Sequence, residues 1–489
     1  MLQARSPLGL YDSLALARGG EGAAGGFDGA LAHTALVRRP IDLTGGPRAI
    51  GDLMLAGGTA GYDDNALWIR RADSLVSLEA GAESWTRNRF GPYDNAGRHQ
   101  YGLGAGLERG GTRVEGAVAQ RGGAGALVGG EEQSANSTGG YGGVGLRRGR
   151  HDVRLTLGRS YDTHESFAVF LPRSRRDARE NWGSLEWRRD SLFSARLDAR
   201  DARVARTEVG SNERDWQSKA MWLTVGAEAH GRTTVLHAQV GAGKDQGTNQ
   251  TEVAPSIALH LGQRTLHTRL FTERILTSVW SDLAPGESPF LQSTWAGGFD
   301  IEWADSAGRD ARLGWIMGRT RDRALIQRLP LEDLWLRAGA RRDVADYDFG
   351  LATVAASMRG QTWGAGAEAF VLIRDASHAQ PRVDPGEGAR GFLEGRFRLF
   401  KGDLGVRVRA GADVVGERES EAPVPRLLPA AVTFNWLVNL ALADAVVTLR
   451  VNDLSDERPP QTWIDNVTGL EALSPGRELQ LSIGWRFFN

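Results

Sequence analysis

The chain has 489 residues, a formal net charge of -1 and a mean hydropathy of -0.34. The balanced charge gives no indication of a nucleic-acid partner, and the lack of any run of about 18 apolar residues excludes transmembrane helices. The chain has no cysteine, which excludes disulfide frameworks, thiolate metal sites and cysteine nucleophiles. A membrane β-barrel is compatible with this composition, because its alternating strands average to a hydrophilic value.

The first 45 residues differ from the rest of the chain. Residues 1–45 are rich in glycine and alanine and show little periodicity, apart from a short helix expected over Ser13–Arg18. The start lacks the basic region and long apolar core of a secretory signal peptide, which argues against a secreted barrel precursor. We expect an irregular N-terminal segment over 1–45 and a separate unit over 46–489.

Alternation of apolar and polar residues begins near residue 48 and continues to the end of the chain. This period of two is typical of strands with one apolar and one polar face. Two weak strands are expected at 50–58 and 66–71, and the glycine-rich segment after residue 121 is expected to be a long loop. The clearer strands are expected at 76–83, 99–108, 112–121, 140–147, 152–160, 185–187, 193–200, 223–227, 236–240, 257–261, 266–270, 295–303, 311–317, 347–351, 363–373, 393–399, 404–413, 432–440, 445–451 and 477–489.

Three regularities define the fold class. The strands are about 9–13 residues long, which suits a tilted strand that crosses a bilayer. Tight turns alternate with longer loops, and charged residues lie in the middle of the polar faces, where a dry core would not tolerate them. The pattern predicts an all-β fold, a closed antiparallel transmembrane β-barrel of about 22 strands (20–24) with short periplasmic turns and long extracellular loops.

Two soluble folds explain the pattern less well. A propeller repeat of ~40 residues holds four strands, whereas each such unit here holds two long ones. A sandwich rarely combines so many long strands without a domain break.

The C-terminal segment resembles the end of a TonB-dependent outer-membrane receptor barrel. In that family an Asn-Leu-Phe-Asp-like motif closes the penultimate strand, and a Pro-Gly-Arg-like entry opens a last strand that ends in an aromatic residue. Val451–Arg458 and Pro475–Phe487 resemble these motifs, with Leu454 at the leucine position and Ser455 where phenylalanine is usual. The resemblance implies a barrel of about 22 strands in the bacterial outer membrane.

The N-terminal segment departs from the pattern of that family. Such receptors carry a plug domain inside the barrel that is much longer than the 45 residues available here, although Gly45–Leu55 loosely resembles the end of a plug. We therefore expect residues 1–45 to be at most a plug remnant, and energised uptake is not implied by the motif alone.

The sequence shows no pattern of a catalytic, cofactor-binding or metal site. The nine histidines are scattered, and His260 and His267 flank one turn, where we expect them to be solvated. The chain is therefore interpreted as a non-enzyme without a cofactor. Charged residues on the polar faces are the functional candidates, although a self-neutralising ladder that stiffens the wall explains them as well. The residues expected to line the lumen are Asp300, Glu302, Asp346, Asp348, Glu394, Arg396, Arg398, Arg407, Arg409 and Asp413.

Two functions are compatible with this interpretation. The first is an outer-membrane transporter or porin for a small solute, related to TonB-dependent receptors but without a full plug. The second is a non-transporting barrel that acts as a scaffold or surface-binding protein in an assembly. Expected partners are outer-membrane lipid and lipopolysaccharide, the barrel-assembly machinery, and TonB or a separate plug or periplasmic protein; no nucleic acid is expected.

Overall fold

A computed structural model gives the fold of most of the chain. The residues that it describes are 13–18, 32–37, 48–59, 61–73, 75–90, 93–127, 132–168, 171–190, 192–208, 214–246, 249–279, 290–322, 345–374, 386–419, 427–456, 460–464, 471–473 and 476–488. No helix in these ranges is long and apolar enough to cross a membrane.

The described secondary structure consists of strands and a 3-10 turn at Phe400–Gly402. The strands are β1 (Ser13–Arg18), β2 (Ala32–Val37), β3 (Arg48–Gly58), β4 (Asp63–Ala72), β5 (Val76–Phe90), β6 (Tyr93–Arg109), β7 (Thr112–Leu127), β8 (Glu132–Arg148), β9 (His151–Ala168), β10 (Leu171–Arg189), β11 (Phe193–Glu208), β12 (Arg214–His230), β13 (Thr234–Asp245), β14 (Gln250–Gly262), β15 (Leu266–Val279), β16 (Phe290–Ala304), β17 (Arg309–Asp322), β18 (Ala345–Arg359), β19 (Trp363–Arg374), β20 (Glu387–Leu399), β21 (Leu404–Val415), β22 (Arg418–Glu419), β23 (Leu427–Leu428), β24 (Ala431–Leu442), β25 (Ala445–Asn452), β26 (Pro460–Ile464), β27 (Glu471–Leu473) and β28 (Glu478–Phe488).

Within the described residues, 22 of these strands form one closed antiparallel barrel. The first and last barrel strands, β3 and β28, pair from Gln480 with Gly58 to Phe488 with Ile50. This closure leaves the barrel without an edge, as a spanning sheet requires, because an unpaired backbone group in lipid costs several kcal/mol. The predicted fold class and strand number are confirmed.

The remaining described strands form three two-stranded sheets that are separate from the barrel sheet. The pairs are β1 with β2, β22 with β23, and β26 with β27. The short helix predicted over Ser13–Arg18 is wrong, because this segment pairs as an antiparallel strand with Ala32–Val37. Its Ser-Leu-Ala-Leu-Ala-Arg sequence has the period of two that suits a strand.

The connections define the two ends of the barrel. On the side where β3 begins and β28 ends, consecutive barrel strands are joined by two to four residues. On the other side, the five connections after β15, β17, β19, β21 and β25 have 10 to 25 residues. Since barrels of this type place short turns in the periplasm and long loops outside the cell, the long-connection side is extracellular.

The strands of the first half are longer than the sequence predicts. The strands from β5 to β12 have 15 to 19 residues, and the connections on their extracellular side are short. The glycine-rich segment expected as a loop lies largely in β7 and β8, which pair up to Ala126 and Glu132. Backbone hydrogen bonds continue a hairpin beyond the bilayer whether or not its side chains alternate, so periodicity underestimates its length.

The apolar faces of the strands point away from the barrel and stay uncovered. On β28, Leu479, Leu481, Ile483 and Trp485 are 45–53% exposed. The same holds on the other barrel strands, with Leu393 on β20 reaching 67% exposure. No second layer of described protein covers these rows, so they are suited to contact lipid.

Inward-facing tryptophans pack over glycines on neighbouring strands. The Trp68 indole lies over Gly81, and the Trp182 indole lies over Gly158. Any side chain at these glycines would occupy the space of the indole, so glycine is required there by close approach rather than by backbone angle.

Gly81→Ala is expected to destabilise the barrel by about 1–3 kcal/mol, because the new methyl group displaces the Trp68 ring. Gly142→Ala is the matched control, since a side chain at Gly142 meets no atom within 4 Å. Urea unfolding followed by tryptophan fluorescence compares the two variants. Equal stabilities would show that Trp68 adapts without cost.

Asp305 organises the periplasmic turn between β16 and β17. Its Oδ1 accepts the backbone N–H groups of Ala307 and Arg309, each at 2.9 Å, and its Oδ2 accepts the Arg309 Nε–H at 2.7 Å. The backbone bond from Arg309 is the main cause that holds the pKa of Asp305 below its ordinary value of 3.8. Gly308, with a φ of 80°, completes the turn in a conformation that favours glycine.

The stabilising effect of the Asp305 carboxylate is expected to be present above pH 3.8 and to decline as the pH falls below it. The sign follows because a pKa lowered by folding means that the unfolded chain binds the proton more tightly. Asp305→Asn is the control, since its amide oxygen can still accept the two backbone N–H groups while the side chain loses the bond from Arg309 Nε and does not titrate. The measurement is the barrel stability of both proteins from pH 6 to pH 2.5, and parallel curves would contradict the prediction.

Candidate functional site

Five arginines and three carboxylates face the lumen from β19, β20 and β21. We call this set the arginine wall. Its members alternate with outward residues such as Leu393 and Phe397, which are 67% and 50% exposed. The register places them on adjacent positions of the inner face, where opposite residues interact across the ladder. The members are Glu368, Arg390, Glu394, Arg396, Arg398, Arg407, Arg409 and Asp413.

Glu394 is the centre of the arginine wall. Its side chain is only 2% exposed, and its two carboxylate oxygens accept separate hydrogen bonds. Arg396 Nε donates to Oε1 at 2.6 Å, and Arg407 Nε donates to Oε2 at 2.7 Å. The two guanidinium groups are 39% and 42% exposed, so they screen the buried carboxylate on one side and contact the lumen on the other.

A second group of the arginine wall lies nearer the extracellular end. Asp413 accepts hydrogen bonds from Arg390 and from Asn435 on β24. The Arg409 guanidinium stacks on the inward Phe392 ring, with its Cζ 3.8 Å from the ring centroid. Stacking holds a guanidinium in place without using its hydrogen-bond donors, which stay available to a solute.

Asp300 and Glu302 form a separate group near the periplasmic end. Arg312 on β17 contacts both, at 3.0 Å from Asp300 Oδ1 and 3.3 Å from Glu302 Oε1. These residues border a cavity of about 780 Å³ that also contacts His260, His267 and Arg269. The register separates Asp300 and Glu302 from the arginine wall by the strands β17 and β18.

The structure contradicts the lumen position predicted for Asp348. Asp348 pairs with Arg319 across the ladder. It lies on the same face of β18 as Val354, which is 53% exposed on the outer face of the barrel. Phe349 points inward instead, where its ring packs against Gly318. Asp346 pairs with Arg321 at the extracellular end of β18, and its side chain lies outside the described ones.

The opposite half of the inner wall contains both buried and exposed side chains. The inward Arg154 and Arg196 on β9 and β11 are 51% and 45% exposed, whereas other inward side chains on β5, β11, β12 and β14 are almost fully buried. Examples are Trp85, Val204, Trp222 and Ala254, with 3%, 1%, 2% and 1% exposure. In contrast, no described residue of β21 is buried. The β21 part of the arginine wall is therefore continuously solvent-accessible, while the opposite half of the inner wall is interrupted by buried side chains.

The barrel seam carries an ion pair that the sequence did not indicate. Arg87 on β5 donates two hydrogen bonds to the Glu478 carboxylate on β28, one of them from Nε at 2.9 Å. Asn452 on β25 adds a contact at 3.4 Å. The Glu478 side chain is 1% exposed. No spacing in the sequence relates Arg87 and Glu478, which are 391 residues apart.

The C-terminal motif holds the two ends of the last long loop together. The Asp456 carboxylate accepts the Arg477 backbone N–H at 2.9 Å, and the Arg477 guanidinium donates to the Leu454 carbonyl at 2.8 Å. Asp453 and Asp456 have φ angles of 50° and 57°, which a short polar side chain tolerates. The motif thus positions the entry to β28 and the closing strand pair.

No cluster of three or more histidine and carboxylate side chains able to hold a metal ion occurs in the part of the chain that the structure describes. The described inner wall offers guanidinium donors and paired carboxylates instead. Of these groups, the guanidinium donors bind anions by charge-assisted hydrogen bonds.

Comparison with known proteins shows similarity at the level of the fold. Neither protein-family models nor curated proteins match the sequence. The solved structures that match include the copper transporter OprC, with a TM-score of 0.82 and 12% identity over 99% of this chain and 87% of that one. The ferric yersiniabactin uptake receptor FyuA from Yersinia pestis matches with a TM-score of 0.77 and 12% identity over 97% of this chain and 85% of that one. The FrpB iron transporter from Neisseria meningitidis matches with a TM-score of 0.75 and 9% identity over 98% and 88%.

These matches and the geometry agree on the architecture. The chain has the fold of the barrels of these transporters, and a closed 22-stranded barrel with an uncovered apolar outer face is a protein of the bacterial outer membrane.

Proposed function

We propose that this protein is an outer-membrane transporter that moves a small anionic solute along the arginine wall. The observation that carries the proposal is the excess of arginine over carboxylate on the inner face of β19, β20 and β21, where Arg396 and Arg407 are 39% and 42% exposed. A lumen wall with an excess of one charge favours ions of the other sign. Since similar folds occur in transporters named for copper, iron and ferric yersiniabactin, anionic metal chelates are the first solutes to test.

The buried inward residues opposite the arginine wall favour a gated path over an open pore. A wide barrel filled with water would expose inward residues all round, yet Trp222 and Val204 are 2% and 1% exposed. The resemblance of the C-terminal motif to TonB-dependent receptors supports a TonB-type periplasmic partner that opens the path.

Uptake of a radiolabelled ferric chelate by cells that produce the protein tests the proposal. Uptake above that of cells with the empty vector, and lost in a strain without TonB, supports energised transport. Uptake that survives without TonB supports passive transport. No uptake of any anionic solute, together with no conductance in planar bilayers, would overturn the transport proposal.

The alternative function is a non-transporting barrel that scaffolds partner proteins. The buried inward residues agree with this function, because they are compatible with a permanently closed lumen. A closed lumen needs no charge-selective wall. The arginine wall argues for transport, because a scaffold has no use for half-exposed guanidinium groups in its lumen. The scaffold function predicts no uptake and no conductance. It also predicts that cross-linking in cells recovers a partner protein.

A further inference from the structure

A group of cations lies on the outer face of the barrel, directly above the apolar band. We call Arg159, Arg179, Lys219 and Lys244 the rim patch. They belong to the neighbouring strands β9, β10, β12 and β13, and all four side chains are exposed. Their positions alternate with inward residues along each strand, so they lie on the outer face. Closer to the membrane centre, the outward residues of the same strands are apolar.

The register shows how closely the rim patch follows the apolar band. Leu157 on β9 and Met221 on β12 are 57% and 58% exposed and mark the upper edge of the band. Arg159 and Lys219 are the next outward residues on the same strands, and Lys244 pairs with Met221 itself. The patch therefore lies at the level where lipid headgroups begin.

The cations of the rim patch occupy neighbouring rows across the sheet, with uncharged residues and Asp201 between them. Arg159 pairs with Asn181, which pairs with Asp201, which pairs with Lys219. Arg179 stands one row higher, opposite Tyr161 and Arg203. With strands about 4.8 Å apart, the patch spans roughly 20 Å along the membrane surface.

The rim patch carries more positive than negative charge, with four cations and the carboxylate of Asp201, which stands opposite Lys219. None of its four cations forms an ion pair with another residue that the structure describes, whereas the nearby Arg175 and Arg203 pair with Asp177 and Asp215. Asp201 is the carboxylate in these rows, and it accepts a hydrogen bond from Gln217 at 3.2 Å. Two of the three lysines of the whole chain stand in this patch.

The geometry points to a site for the diphosphorylated sugar headgroup of lipid A, the lipid part of lipopolysaccharide, in the outer leaflet. A lipid bound here lays its acyl chains on the apolar band and its phosphates among the cations. One phosphate covers only one pair of neighbouring strands, whereas two phosphates on a disaccharide match a patch that extends over five strands. Each Lys or Arg near an anionic lipid surface strengthens the binding of that lipid.

The test is native mass spectrometry of the full chain in detergent with diphosphoryl lipid A and EDTA. The variant R159Q/R179Q/K219Q/K244Q is expected to bind lipid A at least tenfold more weakly than the unchanged protein. The matched control R71Q/R109Q/R148Q/R150Q removes the same charge at the periplasmic rim and is expected to bind as the unchanged protein does. The pair variant K219Q/K244Q, with heat-modifiable gel mobility as the folding check, keeps the test valid if the fourfold variant misfolds.

Further ligands identify the source of the phosphate. Monophosphoryl lipid A is expected to bind more weakly, and phosphatidylglycerol and millimolar inorganic phosphate are expected not to displace diphosphoryl lipid A. Equal binding by the rim and control variants, or displacement by either competitor, would overturn the inference. The inference rests on the outer-membrane location alone, so its failure leaves the transport proposal standing, and a failure of transport leaves the binding result unchanged.

Discussion

Arg87→Ala is expected to destabilise the closed barrel by about 3–5 kcal/mol, because it leaves the buried Glu478 carboxylate without its counter-ion. Arg87 and Glu478 lie on opposite sides of the seam, with β3 and β4 between their strands. Loss of the pair therefore weakens the contact that ties the two ends of the sheet together. The measurement is the urea midpoint of folded protein on heat-modifiable gels.

Arg486→Ala is the matched control for this prediction. Arg486 contacts Asp52 across the same seam at 2.8 Å, but the two side chains are 59% and 33% exposed. An exposed ion pair contributes about 0–1 kcal/mol, so this variant is expected to retain nearly all its stability. Arg87→Ala/Glu478→Gln is expected to recover part of the loss, since it removes the stranded charge. Equal losses of stability in Arg87→Ala and Arg486→Ala would show that the burial of Glu478 does not determine the stability of the seam.

Exchanging Arg398 and Arg409 for glutamine is expected to lower the uptake of an anionic solute about tenfold, which corresponds to ~1.4 kcal/mol. Both side chains belong to the arginine wall, and neither donates a hydrogen bond to Glu394 among the described contacts. The change removes two positive charges from the solute path without stranding a carboxylate. We therefore expect the unfolding free energy to change by less than about 1 kcal/mol.

R396Q/R407Q separates this effect from an effect on folding. It removes the same charge but also both counter-ions of Glu394, whose side chain is 2% exposed. This variant is expected to lose about 3–5 kcal/mol of stability as well as uptake, and a further Glu394→Gln change is expected to restore stability but not uptake. The two measurements are initial uptake rates and urea unfolding of each purified variant. Unchanged uptake in R398Q/R409Q would exclude the arginine wall from the solute path.

The candidate site was predictable from the sequence where alternation is unambiguous. In β20 and β21 the charged residues alternate with large apolar ones, so Glu394, Arg396 and Arg407 could be assigned to one face. The same rule failed in β18. Alternation predicts Asp348 inward and its apolar neighbour Phe349 outward, yet Phe349 packs inward against Gly318 and Asp348 takes the outward position. Alternation divides the residues of a strand into two faces. Near a strand end both faces lie outside the bilayer, so the apolar face need not be the outer one.

The sequence by itself determined the class of fold, the closing motif and the polarity of most strand faces. These features are local, because period-two patterning and turn residues act over a few positions. Only the tertiary structure decided the length of the hairpins, the burial of Glu478 by Arg87, and the gathering of Arg159, Arg179 and Lys219 above the apolar band. Those features depend on which strands become neighbours and in which register, and closing a sheet brings together residues that no spacing along the chain relates.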